Sequence, residues 1–183
     1  MIIEHIVYSV AIAILFGMIY RRITGREYSW IIIMSAYAPD ADVFIATILG
    51  HLNITLLVYG SPINHGDFHN IAVLLVYAII IAFLFHPMRI RFIDSFIFAS
   101  VGFAAHLFED ALVFKTGYRF LWPLTDEKFG IGLFSYDKSE LYGFGDGTVV
   151  ATGLVLIAIS VFIRTAYEGR GWMGKMIRLE SDL

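Results

Sequence analysis

The chain has 183 residues, 58% of them hydrophobic and 16% charged, with a mean hydropathy of +0.75. A soluble domain carries about a quarter charged residues, so this composition belongs to the membrane class, and one helical bundle suffices for the length. A formal net charge of −3 argues against nucleic acid as a partner, which calls for clustered basic surface. The absence of cysteine excludes disulfides and thiolate metal sites, leaving imidazole and carboxylate as metal donors.

Five stretches are long and apolar enough to cross the roughly 30 Å of bilayer hydrocarbon. They fall at about 2–20, 30–49, 69–86, 93–114 and 147–164. The first has Glu4 and His5 where a signal peptide would have Lys or Arg, and is expected to be a retained helix. The second holds Asp40 and Asp42, and the fourth Asp94, His106, Glu109 and Asp110; the third and fifth have clean apolar cores. A connection over about 115–146, rich in glycine and aromatics, includes Tyr118, Phe120, Trp122, Tyr142 and Phe144, residue types that settle at the headgroup level. The expectation is an all-α, polytopic membrane bundle of about five transmembrane helices, a single integral membrane domain over 1–183.

Orientation follows from the basic residues. With the N-terminus outside and the C-terminus inside, the inner segments hold Arg21, Arg22, Arg26, Arg89, Arg91, Arg164, Arg170, Lys175 and Arg178. The outer segments hold only Lys115, Arg119, Lys128 and Lys138. This is the positive-inside bias. The same topology sends His5, Asp40, Asp42, His65, His69, His106 and Asp110 to one leaflet, from separate pieces of sequence. Asp94 falls at the inner end of the fourth stretch, where it would cap the helix, and His51 and His86 fall at segment ends.

The constellations carry metal chemistry by type and spacing. His106 and Asp110 are four residues apart, hence on one helix face, where they can grip one metal or the Asp can orient the His. Glu109 lies near the same face as a third ligand, a general base or a charge reaching for the interface. Asp40 and Asp42 would point about 200° apart in an unbroken helix, but Pro39 disfavours helix at Ala38, and a break there would turn both inward. The bland alternative is an N-terminal turn whose acids satisfy free N–H groups. His65 and His69 have two-ligand spacing if their segment is helical.

Taken in order, these residues form a series: His5, Pro39-Asp40-x-Asp42, Asn64-His65-Gly66-Asp67-Phe68-His69-Asn70, and His106-Leu107-Phe108-Glu109-Asp110. Gly117 and Leu121-Trp122-Pro123-Leu124 follow. The series resembles the membrane-bound metal-dependent hydrolase family, which includes the LexA-binding inner-membrane-associated hydrolases, over about residues 5 to 124. The family usually reads His-Arg-Gly-x-Thr-His-Ser at the middle motif, so Asn64 stands in place of its first His and His65 in place of its Arg. The resemblance implies a small helical membrane bundle with hydrolase chemistry.

The expected activity is hydrolysis of a phosphoester or lipid headgroup at the outer face, by water activated on a divalent metal. His5, Asp40, Asp42, His65, His69, His106 and Asp110 are the candidate ligands and Glu109 the candidate catalytic residue. Lys115 and Arg119 would receive an anionic headgroup or anchor the chain at the interface. Mixed His and Asp ligands suit zinc first, and also manganese or iron. The expected setting is multi-pass in the cell membrane, with lipid as solvent and a lipid or phosphoester as substrate. The alternative is metal-ion or proton transport; against it, the inner halves of the five stretches look nearly free of ionisable groups apart from Asp94.

Overall fold

A computed structural model describes residues 3–134, 136, 137, 140 and 145–177; Lys138, Tyr142, Phe144 and Arg178, named above, lie outside the described residues. The chain is helical in almost all its regular structure. In order come α1 (Ile3–Thr24), α2 (Ser29–Met34), a 3-10 turn (Ser35–Tyr37) and α3 (Ala41–His51). A two-residue-per-strand hairpin follows, β1 (Leu57–Val58) antiparallel to β2 (Ser61–Pro62). Then come α4 (Ile71–Phe85), α5 (Phe92–Val113), α6 (Gly147–Glu168) and the short α7 (Trp172–Ile177).

Four helices are long and apolar enough to span: α1, α4 with its following turn (Ile71–Met88), α5 and α6. At about 1.5 Å per residue a 22-residue helix reaches about 33 Å, enough for the hydrocarbon layer. A bent helix pair occupies the place of the second apolar stretch and makes a fifth span if it crosses as one unit. Ser29–Tyr37 and Ala41–His51 meet at an angle of 45° across the Pro39-Asp40 step, because proline lacks the N–H that would continue the ladder. The sequence points to that break, and the site depends on it.

The spans divide by what they face. In α5, 61% of the most apolar window is buried, against 17% in α4 and 22% in α6. Leu75, Val76, Ile80 and Phe83 of α4 and Val155, Ile159 and Phe162 of α6 are turned outward, where lipid solvates them. Of the charged and histidine residues on the four long helices, those of α1 and α5 sit on the two best-covered ones, α4 has none within Ile71–Phe85, and α6 carries Arg164 and Glu168 at its end. Phe98 and Ala99 of α5 pack with Ile31 and Ile32 of α2 and with Ala78 and Phe85 of α4. Gly102 lets α5 approach α2 closely, since a Cβ there would lie 2.6 Å from the Ile32 carbonyl oxygen.

Two helix starts are capped by side chains. Asn70 accepts from the Val73 N–H at 3.0 Å, and Asp146 accepts from Thr148 and Val149 N–H at 2.9 and 3.0 Å. Asp94 is no cap: Arg91 holds the N-cap position of α5 without a side-chain bond, and Asp94 instead accepts from Arg26 and Tyr20, both at 2.6 Å. Nor is that end of the bundle free of other ionisable groups. Arg164 of α6 is fully buried and donates to Glu27 at 2.6 Å. Sequence position alone placed these groups at segment ends, whereas α7 and the α1–α2 turn cover them.

Candidate metal centre

At the end of the bundle that carries the start of α1, five pieces of chain bring ligand-type atoms together. His5 comes from the first turn of α1, and His106 and Asp110 from the last two turns of α5. Asp40 stands at the break before α3, Asp42 lies in the first turn of α3, and His65 and His69 belong to the turns before α4. Three overlapping groups could hold a metal ion: His5–Asp40–His106, Asp40–His65–His69, and His69–His106–Asp110.

The tightest convergence is on four atoms. His69 Nε2 lies 3.2 Å from His106 Nε2, 3.2 Å from Asp110 Oδ2 and 3.4 Å from Asp40 Oδ1. His106 Nε2 lies 3.5 Å from Asp110 Oδ2 and 3.7 Å from Asp40 Oδ1. These separations are close to the roughly 3.3–3.6 Å between neighbouring ligand atoms around a metal with bonds of about 2.0–2.2 Å, and His69, His106 and Asp110 form one group that could hold an ion. The donor set therefore fits a divalent metal.

The atoms behind these ligands are arranged to aim them. His106 Nδ1 lies 2.7 Å from the Ala36 carbonyl oxygen, which only accepts, so Nδ1 carries the proton and Nε2 turns its lone pair into the cluster. That carbonyl is available because the chain runs as a 3-10 turn rather than an unbroken helix. Asp42 is fully buried, and its Oδ2 accepts from the Gly66 and Phe68 N–H groups at 2.7 and 3.2 Å. Its Oδ1 lies 3.4 Å from His65 Nδ1. Asp42 thus clasps α3 to the His65–His69 segment, while Asp40 faces the cluster. The segment itself is a run of turns and not a helix; Gly66 takes φ +97°, a value glycine adopts without a Cβ penalty.

His5 lies with its ring stacked on His106, centroids 3.7 Å apart. Its Nδ1 is hydrogen-bonded to Glu109 Oε2 at 3.0 Å, and its Nε2 is 3.8 Å from Asp40 Oδ2. Glu109 is buried, so it meets the cluster through His5. Glu4 is also fully buried; its Oε1 accepts from the Asp146 N–H at 2.6 Å, and its Oε2 has no hydrogen-bond partner, as is true of Glu109 Oε1.

A cavity of about 480 Å³ opens over the cluster. His5, Asp40, His65 and Asp110 supply its polar floor, Val43, Phe44 and Thr47 of α3 one wall, and Phe114 and Tyr118 another. Lys115 is exposed, and the Arg119 guanidinium rests over the Tyr59 ring at 4.6 Å; neither lines the cavity. They flank two residues that do, Phe114 and Tyr118. His51 and His86 are exposed and far from the cluster in the chain's path.

Sequence reasoning grouped Tyr118 only with the interfacial aromatics. In the fold its ring lies 4.2 Å from the His69 ring and against Gly66, where a Cβ would collide with it, and its hydroxyl is 3.1 Å from His65 Nε2. Burial, followed by the charges of Asp110, Asp40 and Asp42, pushes the phenol above its ordinary pKa, so it stays protonated. The one signal in sequence was its place just after Gly117, within reach of the end of α5. Nothing in the sequence pointed to Phe44 or Thr47 as cavity wall.

The profile of the YdjM inner membrane protein family matches residues 1–171. The chain belongs to that family, and with its apolar spans it is a multi-pass membrane protein. No curated protein matches the chain. No solved structure matches it either.

Proposed function

We propose that this member of the family is a membrane-embedded, divalent-metal-dependent hydrolase acting on a phosphoester or lipid headgroup at the outer face. The observation that carries this reading is the convergence of His69, His106, Asp40 and Asp110, with five separations of 3.2–3.7 Å, where Asp40 and Asp110 also line an open cavity. Two imidazoles and two carboxylates suit zinc first, with manganese and iron as further candidates. His65 stands as an additional ligand, and Asp42 holds the His65–His69 segment in place.

A divalent metal held by these residues would supply Lewis-acid activation of water at neutral pH. The chain's own groups do the rest. His5 Nε2 faces the cavity, and Glu109 Oε2 fixes the ring through Nδ1, so a proton released in the cavity passes to His5 with Glu109 balancing the charge. Lys115 and Arg119, on the rim, draw an anionic headgroup toward the opening. The apolar wall of α3 suits a substrate that arrives from the bilayer.

Two measurements test the proposal. Purified protein is expected to retain a divalent transition metal and to hydrolyse a member of a phosphoester and lipid-phosphate panel in a chelator-sensitive way. Glu109→Gln is expected to lose turnover while keeping metal. Metal or proton flux across sealed vesicles without any product would replace hydrolysis by transport. For the orientation, a reporter after Leu183 is expected inside and one near Lys138 outside; both on one side would overturn the outer-face assignment.

A further inference from the structure

Resting on that reading, we infer that Tyr118 is the substrate-binding residue of the cavity, donating its phenolic O–H to an anionic phosphate-type oxygen held against the metal cluster. The argument begins with what surrounds the opening. An oxyanion there meets the carboxylates of Asp40 and Asp110, and among the described residues no lysine or arginine lines the cavity. A bound cation offsets the two carboxylates, but the remaining oxygens of a phosphate still need donors from the protein.

The neutral donors are few. The Thr47 hydroxyl is committed to the Val43 carbonyl at 2.8 Å, and His5 Nδ1 to Glu109. Tyr118 remains. Its hydroxyl carries one proton and at rest lies 3.1 Å from His65 Nε2. An oxyanion is a stronger acceptor than a neutral imidazole, so a phosphate oxygen in the cavity draws that proton to itself. The ring is held for this role. It fills the space left by the missing side chain of Gly66 and lies 4.2 Å from the His69 ring, so the hydroxyl is fixed relative to a ligand of the cluster.

The test uses cobalt-substituted full-length protein in detergent and inorganic phosphate as the probe, followed by the visible spectrum of the metal. Wild type is expected to bind phosphate saturably, and Tyr118→Phe to bind it about tenfold more weakly, the size of one hydrogen bond to a charged group. Metal content is expected to be the same in both. Lys115→Ala and Arg119→Ala are expected to change the affinity less than about twofold, as steering charges do. A parallel titration with dihexanoyl phosphatidic acid separates the sources of the oxygen. Binding tighter than phosphate assigns the site to a lipid headgroup, equal binding assigns it to a free phosphate, and Tyr118→Phe weakens either one.

Undiminished phosphate binding by Tyr118→Phe overturns the inference and leaves the metal centre standing. Loss of metal from that variant also overturns it, reducing Tyr118 to a support for His65 and His69. A wild-type protein that takes up no cobalt, or takes it up and binds no phosphate, removes the hydrolase reading together with the inference.

Discussion

At one end of the bundle Arg21, Arg26 and Arg164 meet Glu27, Asp94 and Glu168, three cations against three anions, with Arg164–Glu27 and Arg26–Asp94 contacts of 2.6 Å. At the other end Glu4, Asp40, Asp42, Glu109 and Asp110 gather around four imidazoles, and no Lys or Arg pairs with them among the described residues. Both groups are taken out of water, so both incur the desolvation cost of burying charge. The first repays it internally, and Arg164 also lies over the Trp172 ring and reaches the Ile14 carbonyl. The second does so only in part, through its imidazole–carboxylate contacts: buried carboxylate oxygens on Glu4 and Glu109 and a buried His69 Nδ1 have no hydrogen-bond partner among the described residues. A balanced cluster is what stability alone produces. An anionic one left open to a cavity is what a cation site looks like before the cation is added.

The largest expected effect lies at the balanced end. Arg164→Ala strands Glu27 in the interior and is expected to cost about 3–5 kcal/mol, read by denaturant or thermal unfolding in detergent. Replacing both partners, as Arg164→Met with Glu27→Leu, is expected to recover most of that loss. A single-variant loss under about 1 kcal/mol would show that this end is solvated and would erase the contrast.

At the anionic end the same kind of deletion has a different signature. Asp110→Asn is expected to cost the metal-free protein some stability, because the carboxylate lies 3.2 Å from His69 Nε2 and 3.5 Å from His106 Nε2 and that attraction is lost. It is also expected to weaken zinc binding by more than about a hundredfold, since even residues behind the ligands change affinity by 10–100-fold. Zinc at about a hundred times its Kd is expected to stabilise wild type by about 2.7 kcal/mol. Stabilisation that persists undiminished in His106→Ala would mean the metal binds elsewhere.

Asp42→Ala sharpens the division between ligand and support. Because Asp42 clasps the Gly66 and Phe68 N–H groups, zinc affinity is expected to fall by about 10–100-fold and not to vanish. Metal titration by calorimetry checks this, and a loss equal to that of Asp110→Asn would make Asp42 a ligand.

The smallest effect belongs to the cap of α6. Asp146→Ala is expected to cost about 1 kcal/mol at pH 7. The N–H groups of Asp137, Val149 and Thr148 hold the Asp146 carboxyl below its ordinary pKa. Its contribution is therefore complete above the unfolded value of about 3.9 and is lost as pH falls through the folded value. Stability curves of the two proteins are expected to converge at acid pH; a gap that widens there would reverse the sign and exclude capping by the ionised form.

The membrane class, the position of the spans, the His106–Asp110 pair on one face and the break at Pro39 were all legible in the sequence. Each depends on local quantities: composition, apolar length, the i,i+4 spacing of a helix and the missing N–H of proline. Which carboxylate faces the cluster was a different matter. Asp40 and Asp42 are two residues apart and chemically alike, and only the angle at which α3 leaves the break turns one to the cavity and the other to the Gly66 turn. The His5–Glu109 bond joins residues 104 apart, and Arg164–Glu27 joins residues 137 apart. Lys115 and Arg119 had the right charge for an anion, yet the neutral Tyr118 lines the cavity. Such pairings depend on how helices cross and where turns fold back, and no periodicity along the chain encodes a contact between side chains that meet only after the helices pack.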